Sequence, residues 1–113
     1  MKSIVYLITS YGMGKTSEQP LSHKLVTTFL TLVPETDNKP SAICFYTDGV
    51  KLACEGSPVL EQLQKLESIG VRLVLCQTCL KYFDLEEKVK VGIIGGMGDI
   101  LSYMSKADSV VTI

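Results

Sequence analysis

Two cysteines stand three residues apart, Cys76 and Cys79, at the end of the apolar run Val71-Arg72-Leu73-Val74-Leu75. The run reads as a buried strand, because branched apolar residues dominate it and Gly70 bounds it on one side. A thiol at the carboxyl end of such a strand faces the crevice where open α/β sheets take ligands. The first N–H groups of a following helix would stabilise a thiolate there. That thiolate can attack the sulfur held by a donor and carry it as a persulfide. Residues i and i+3 share a helix face, so a short shift would bring a second thiol onto the loaded one. Cys76, at the strand-to-helix transition, is the expected nucleophile and Cys79 the resolving thiol.

Three other readings of Cys76-Gln77-Thr78-Cys79 compete with sulfur transfer. A metal centre needs further ligands at tetrahedral spacing, but the chain has one histidine, His23, and no second CxxC. No metal is therefore expected. A thioredoxin-like dithiol normally has an aromatic residue before its first cysteine and a proline or glycine inside the motif; Leu75 and the late position depart from that pattern. The last reading is two structural thiols. Cys44, inside an apolar strand, and Cys54, near Ala53, are expected to be small core residues.

Three loops are expected to rim the same crevice. Thr9-Ser10-Tyr11-Gly12-Met13-Gly14-Lys15-Thr16 ends like a phosphate-binding loop, yet it has Thr9 where the full motif needs glycine. Ser17-Glu18-Gln19-Pro20 also separates it from the helix, and Pro20 disfavours helical geometry at Gln19. Nucleotide hydrolysis is therefore not expected, but Tyr11 and Gly12 remain pocket candidates. In Tyr46-Thr47-Asp48-Gly49-Val50-Lys51, either Thr47 or Asp48 is expected to cap the following helix. There Asp48 and Gly49 are pocket candidates, and Lys51 would place a cation near the thiolate. Gln77 and Thr78 belong to the cysteine loop itself. Gly92-Ile93-Ile94-Gly95-Gly96-Met97-Gly98-Asp99 has the wrong spacing for a dinucleotide fingerprint and reads as a turn into a helix, with Gly96 and Met97 at the rim. His23 is expected on the surface of the first helix, where nothing in the spacing supports Cys–His catalysis.

The elements that position these loops alternate strand and helix. The strand candidates are 3–9, 42–46, 71–76, 91–94 and 109–113. The helix candidates are 21–32, 59–69 (with Ser57 as N-cap and Pro58 in the first turn) and 97–106. This alternation predicts a single three-layer α/β domain over residues 1–113, with a mostly parallel five-stranded sheet and helices on both faces. The 113 residues suffice for one core. Charged residues make up only 20% and net charge is −1. The low charge predicts that partner subunits cover part of the surface, and the lack of a basic stripe argues against nucleic acid. No apolar run reaches the roughly 18 residues of a membrane span. The opening apolar run is too short for a secretion signal, so a cytoplasmic protein with free thiols is expected.

Taken together, three segments resemble the DsrE/DsrF-like family, closest to the DsrE-like domain of YedF-type proteins of selenium and sulfur metabolism. They are Cys44 to Ala53, Gly56-Ser57 with its amphipathic helix, and Gly70-Val71 leading into Cys76-Gln77-Thr78-Cys79-Leu80. Gly98-Asp99-Ile100 and Ala107 to Thr112 fit the family's last helix and strand. The resemblance implies a Rossmann-like domain with sulfur-carrier or sulfurtransferase activity and no cofactor. The family's reactive cysteine maps onto Cys76, and dimers, trimers or hexamers are implied. Complete YedF-type proteins carry a TusA-like domain with a Cys-Pro motif, absent from these residues; donor and acceptor proteins, including a TusA-like carrier, are then the implied partners. The reading from a different class is a non-catalytic, oligomeric α/β module whose pocket holds a small ligand.

Overall fold

The computed structural model describes residues 2–113, and its branched apolar runs form a single sheet. The strands are β1 (Ile4–Ile8), β2 (Ala42–Phe45), β3 (Arg72–Cys76), β4 (Ile93–Gly95) and β5 (Ser109–Thr112). They lie in the order β4-β3-β2-β1-β5, and every pairing is parallel. Central parallel strands have no solvent face, which is why β2 and residues 73–76 of β3 read as unbroken apolar runs and are buried throughout.

Four α-helices connect the strands: α1 (Gln19–Leu32), α2 (Leu60–Ser68), α3 (Gln77–Tyr82) and α4 (Met97–Lys106). The chain steps outward from β1 to β4, then returns across the sheet to β5 on the other side of β1. Right-handed crossovers put the outward connections on one face and the returning α4 on the other. α1 packs beside α2, and α4 lies against β3. Phe45, Ile43, Leu52, Leu63, Leu66 and Leu75 are among the largest fully buried side chains.

Helix boundaries depart from expectation where proline is involved. α1 begins at Gln19 rather than Leu21, with Pro20 in its first turn. The missing N–H costs nothing there, because first-turn N–H groups have no intrahelical acceptor. Ser57 and Pro58 do not open α2. Ser57 Oγ accepts the Val59 N–H at 3.1 Å, and this turn precedes a helix that starts at Leu60. α2 ends as expected at Gly70, whose φ is +98°. The Gly70 N–H donates to Glu67 O and the Val71 N–H to Leu66 O, each at 3.1 Å, a paired C-terminal closure that requires the left-handed backbone. After β2 comes a 3-10 stretch, Thr47–Ala53, rather than an α-helix.

Cys44 and Cys54 are buried free thiols, as expected of core residues. Burial pushes the Cys44 pKa up to about 11 and raises that of Cys54 as well.

Candidate functional site

The carboxyl ends of β1, β2 and β3 converge, because the three are consecutive neighbours in a parallel sheet. Each hands the chain to a loop that contributes to one rim: Thr9 onward from β1, Thr47 onward from β2, and Cys76-Gln77-Thr78-Cys79 from β3 into α3.

The two thiols occupy unlike positions. Cys76 is the N-cap of α3 and is 2% exposed. Cys79 lies one turn later, half-buried, at the edge of the rim. Cys76 is near enough to weigh on the ionisation of Cys79. The backbone N–H of Thr47 donates to Cys79 Sγ at 3.0 Å. Burial raises the Cys79 pKa above the ordinary thiol value; the Thr47 N–H pulls it down, and Cys76 and the Asp48 carboxylate push it up further. The protonated form of Cys79 is favoured, in contrast to the activated thiolate that the strand-end position suggests for this loop.

Thr47 was expected at most to cap a helix, and the structure gives it a different role. Its φ is +50°, a left-handed conformation that a β-branched residue rarely adopts. Its Oγ1 donates to Thr9 O and is also close to Tyr46 O. One residue therefore ties the end of β1 to the sulfur of Cys79, at the cost of about 1–3 kcal/mol of backbone strain. The neighbouring Gly49 is needed for space rather than for φ: a Cβ there would run into the Ile8 carbonyl oxygen.

Asp48 caps nothing. Its carboxylate holds the Lys51 ammonium at 2.6 Å, and Lys51 Nζ lies 4.3 Å from the centre of the Phe83 ring. Lys51 and Tyr11 line a cavity of about 400 Å³ with Cys54, Glu55, Phe83 and Leu85. Gly12 packs against Ser22, leaving no room for a side chain. Gln77 and Thr78 are exposed on the first turn of α3. Gly96 and Met97 are exposed at the start of α4, where Asp99 Oδ2 accepts the Gly96 N–H at 2.9 Å. Neither pair lines a cavity with the thiols. His23 is not free on the surface: its ring stands edge-on to Tyr11 with centroids 4.6 Å apart, and its Nε2 is buried without a partner. No cluster of three or more metal-ligating side chains occurs among the described residues. No helix there is long and apolar enough to cross a membrane.

Solved structures share this architecture. The ychN protein of E. coli superposes with a TM-score of 0.74 at 18% identity, covering 100% of both chains. MTH1491 of Methanobacterium thermoautotrophicum, a protein of unknown function, gives 0.70 at 16% identity, also over 100% of both. BT1422 of Bacteroides thetaiotaomicron, likewise a conserved protein of unknown function, gives 0.68 at 16%, covering 98% of this chain and 95% of that one. At such identities the likeness speaks for the fold. No curated protein matches the chain. The sequence profile of the DsrE/DsrF-like family matches residues 2–113, which include every strand, both loops that meet at Thr47 and the Cys76–Cys79 pair, and so the chain belongs to the DsrE/DsrF-like family.

Proposed function

We propose that this protein is a sulfur-relay carrier in which Cys79 receives a sulfur atom as a persulfide and Cys76 is its resolving partner. The observation that supports the assignment is the 3.0 Å donation from the strained Thr47 N–H to Cys79 Sγ, on the more accessible of the two sulfurs. The roles are the reverse of those expected from the strand-end position, because Cys76 turns into the core. After Cys79 loses its proton to solvent, its thiolate attacks the outer sulfur of a donor persulfide. A new sulfur–sulfur bond forms as the donor's breaks, and the donor leaves as a thiolate. An acceptor thiolate then takes the outer sulfur and returns Cys79 as a thiolate. Alternatively, Cys76 attacks Cys79 Sγ, closing a disulfide and expelling hydrosulfide.

The same reading assigns the protein to the cytoplasm, where its free thiols persist, with a protein donor and acceptor such as a TusA-like carrier. It also takes the chain to be a homo-oligomer. Val110 and Val111 on the edge strand β5, and Ile93 and Ile94 on the edge strand β4, are exposed apolar residues of the kind that a second copy covers.

The test is intact-mass spectrometry after incubation with a persulfide donor. A one-sulfur adduct that is lost in Cys79→Ser, kept in Cys44→Ser, and long-lived in Cys76→Ser is expected. An adduct that survives Cys79→Ser and disappears in Cys76→Ser reverses the roles. No adduct on any cysteine leaves a ligand-binding module without sulfur transfer.

A further inference from the structure

Glycine takes a left-handed backbone most readily, and aspartate more readily than most residues. Both stand at this turn, as Asp48 and Gly49, yet the residue at φ +50° is the β-branched Thr47 before them. Such a conformation persists only where the surroundings over-determine it. Here the surroundings act on the threonine side chain. Its Oγ1 donates to Thr9 O, where the chain has left β1, and lies beside Tyr46 O, where it has left β2. No backbone N–H among the described residues donates to Thr9 O, so the hydroxyl is its partner. The turn beyond is pinned as well. The Gly49 N–H donates to Tyr46 O at 3.1 Å, and the Gly49 Cα lies too close to the Ile8 carbonyl to carry a side chain.

We propose that Thr47 is a positioning residue for sulfur transfer: its hydroxyl, anchored on Thr9 O, holds the left-handed backbone that keeps its N–H aimed at Cys79 Sγ, 3.0 Å away. What the sulfur then does rests on the relay reading above; the positioning itself does not. The hydroxyl touches neither thiol and acts through the peptide group. An N–H donor binds a thiolate more strongly than a thiol, so it favours the anion and fixes the direction from which the sulfur can attack. Other groups oppose that anion: Cys76 on the same helix and the Asp48 carboxylate across the rim, which keeps the Lys51 ammonium in its own ion pair. The Thr47 N–H is the group that draws charge onto Cys79, and the Thr9 tether sets where it points.

The experiment measures the alkylation rate of Cys79 against pH, resolved from the other thiols by peptide mass mapping. Thr47→Val keeps the branched shape and removes the donor to Thr9 O. Thr47→Ser keeps the donor. Neither changes a charge around Cys79. Thr47→Val should move the profile to higher pH and slow the reaction near neutrality by roughly tenfold, the scale of one hydrogen bond to a charged group. Thr47→Ser should keep the wild-type profile. If the valine variant does not fold, Thr47→Gly takes its place: it accepts a positive φ without strain, lacks the tether, and should shift the profile in the same direction by less. A wild-type profile in the untethered variant, or an equal shift in Thr47→Ser, overturns the proposal. Sulfur loading from a persulfide donor keeps the two readings apart. A shifted profile in Thr47→Val with no loading of the wild type leaves the positioning and removes the relay. Equal loading of both with an unshifted profile leaves the relay and removes the positioning.

Discussion

The centre and the flanks of this sheet are built from the same residue types and end in opposite environments. Ile43 in β2 and Leu75 in β3 are sealed by neighbouring strands and by helices on both faces. Ile94 in β4 and Val111 in β5 are 43% and 45% exposed, and Leu101 on α4 is 61% exposed. A branched apolar residue in the centre holds the monomer together. At the flank it adds little to the monomer and stays open to solvent in the single chain. The difference teaches that apolar residues of one kind serve the core at the centre and remain on the surface at the edges, a division that strand position makes and composition does not; on the oligomeric reading proposed above, the edges are where a second copy docks.

Large-to-small substitution gives the greatest contrast. Ile43→Ala removes buried methyl groups and leaves a cavity, so a loss of about 2–5 kcal/mol is expected in urea unfolding. Leu101→Ala should change the same measurement by no more than ~0.5 kcal/mol. Equal losses at both positions would abolish the distinction.

Titration probes the centre in a second way. The native Cys44 thiol keeps its proton to about pH 11, whereas the thiol in an unfolded chain releases it near 9.0. Between those values the native state binds more protons than the unfolded one, so stability falls as pH rises. The contribution is fully present below pH 9.0 and gone above about 11, with a total of about 2–3 kcal/mol. Replacing Cys44 with alanine should flatten part of this decline in denaturation curves collected across that range. Cys54 and Cys79 shift in the same direction and leave a residual slope.

At the flanks the effect moves from stability to association. Val111→Lys or Ile94→Lys should leave the unfolding free energy within ~0.5 kcal/mol per chain once dissociated, and should shift the sedimentation profile to smaller species. An unchanged profile in both variants removes the case for these strands as subunit contacts. The smallest expected effect is at the rim. Asp48→Asn removes a charge that raises the Cys79 pKa and releases Lys51 from its ion pair. Alkylation of Cys79 near neutral pH should then speed up by a few-fold at most, because Asp48 acts on that thiol more weakly than burial, the Thr47 N–H or Cys76.

β2 and β3 were legible because doubly covered parallel strands leave an unbroken apolar signature, the edge strands β4 and β5 only through their short branched apolar runs, and α4 was legible because glycine precedes it and its apolar residues keep helical spacing. The prolines misled at both helix starts. Sequence does not tell whether a proline lies inside the first turn, as Pro20 does, or forms a turn before it, as Pro58 does. The cysteine pair was found, but its accessibility was not, since a strand-to-helix junction does not reveal which sulfur turns inward. Thr47 was missed as a site residue for a sharper reason. In Thr47-Asp48-Gly49 glycine is the residue type that adopts a left-handed backbone most readily, yet the threonine takes it, while Gly49 makes way for the Ile8 carbonyl.

A sheet whose strands all run one way has two unlike poles, and this has a practical consequence for handling the protein. Ser3 is fastened to the Asp108 carboxylate at 2.8 Å at the pole where β1 and β5 begin. Ile113, by contrast, stands at the pole of the thiols. A purification handle or fluorescent reporter fused ahead of Ser3 hangs from the inert pole and leaves the sulfur rim open. The same cargo placed after Ile113 stands beside the loop that leaves β1, at the pole where the thiols lie.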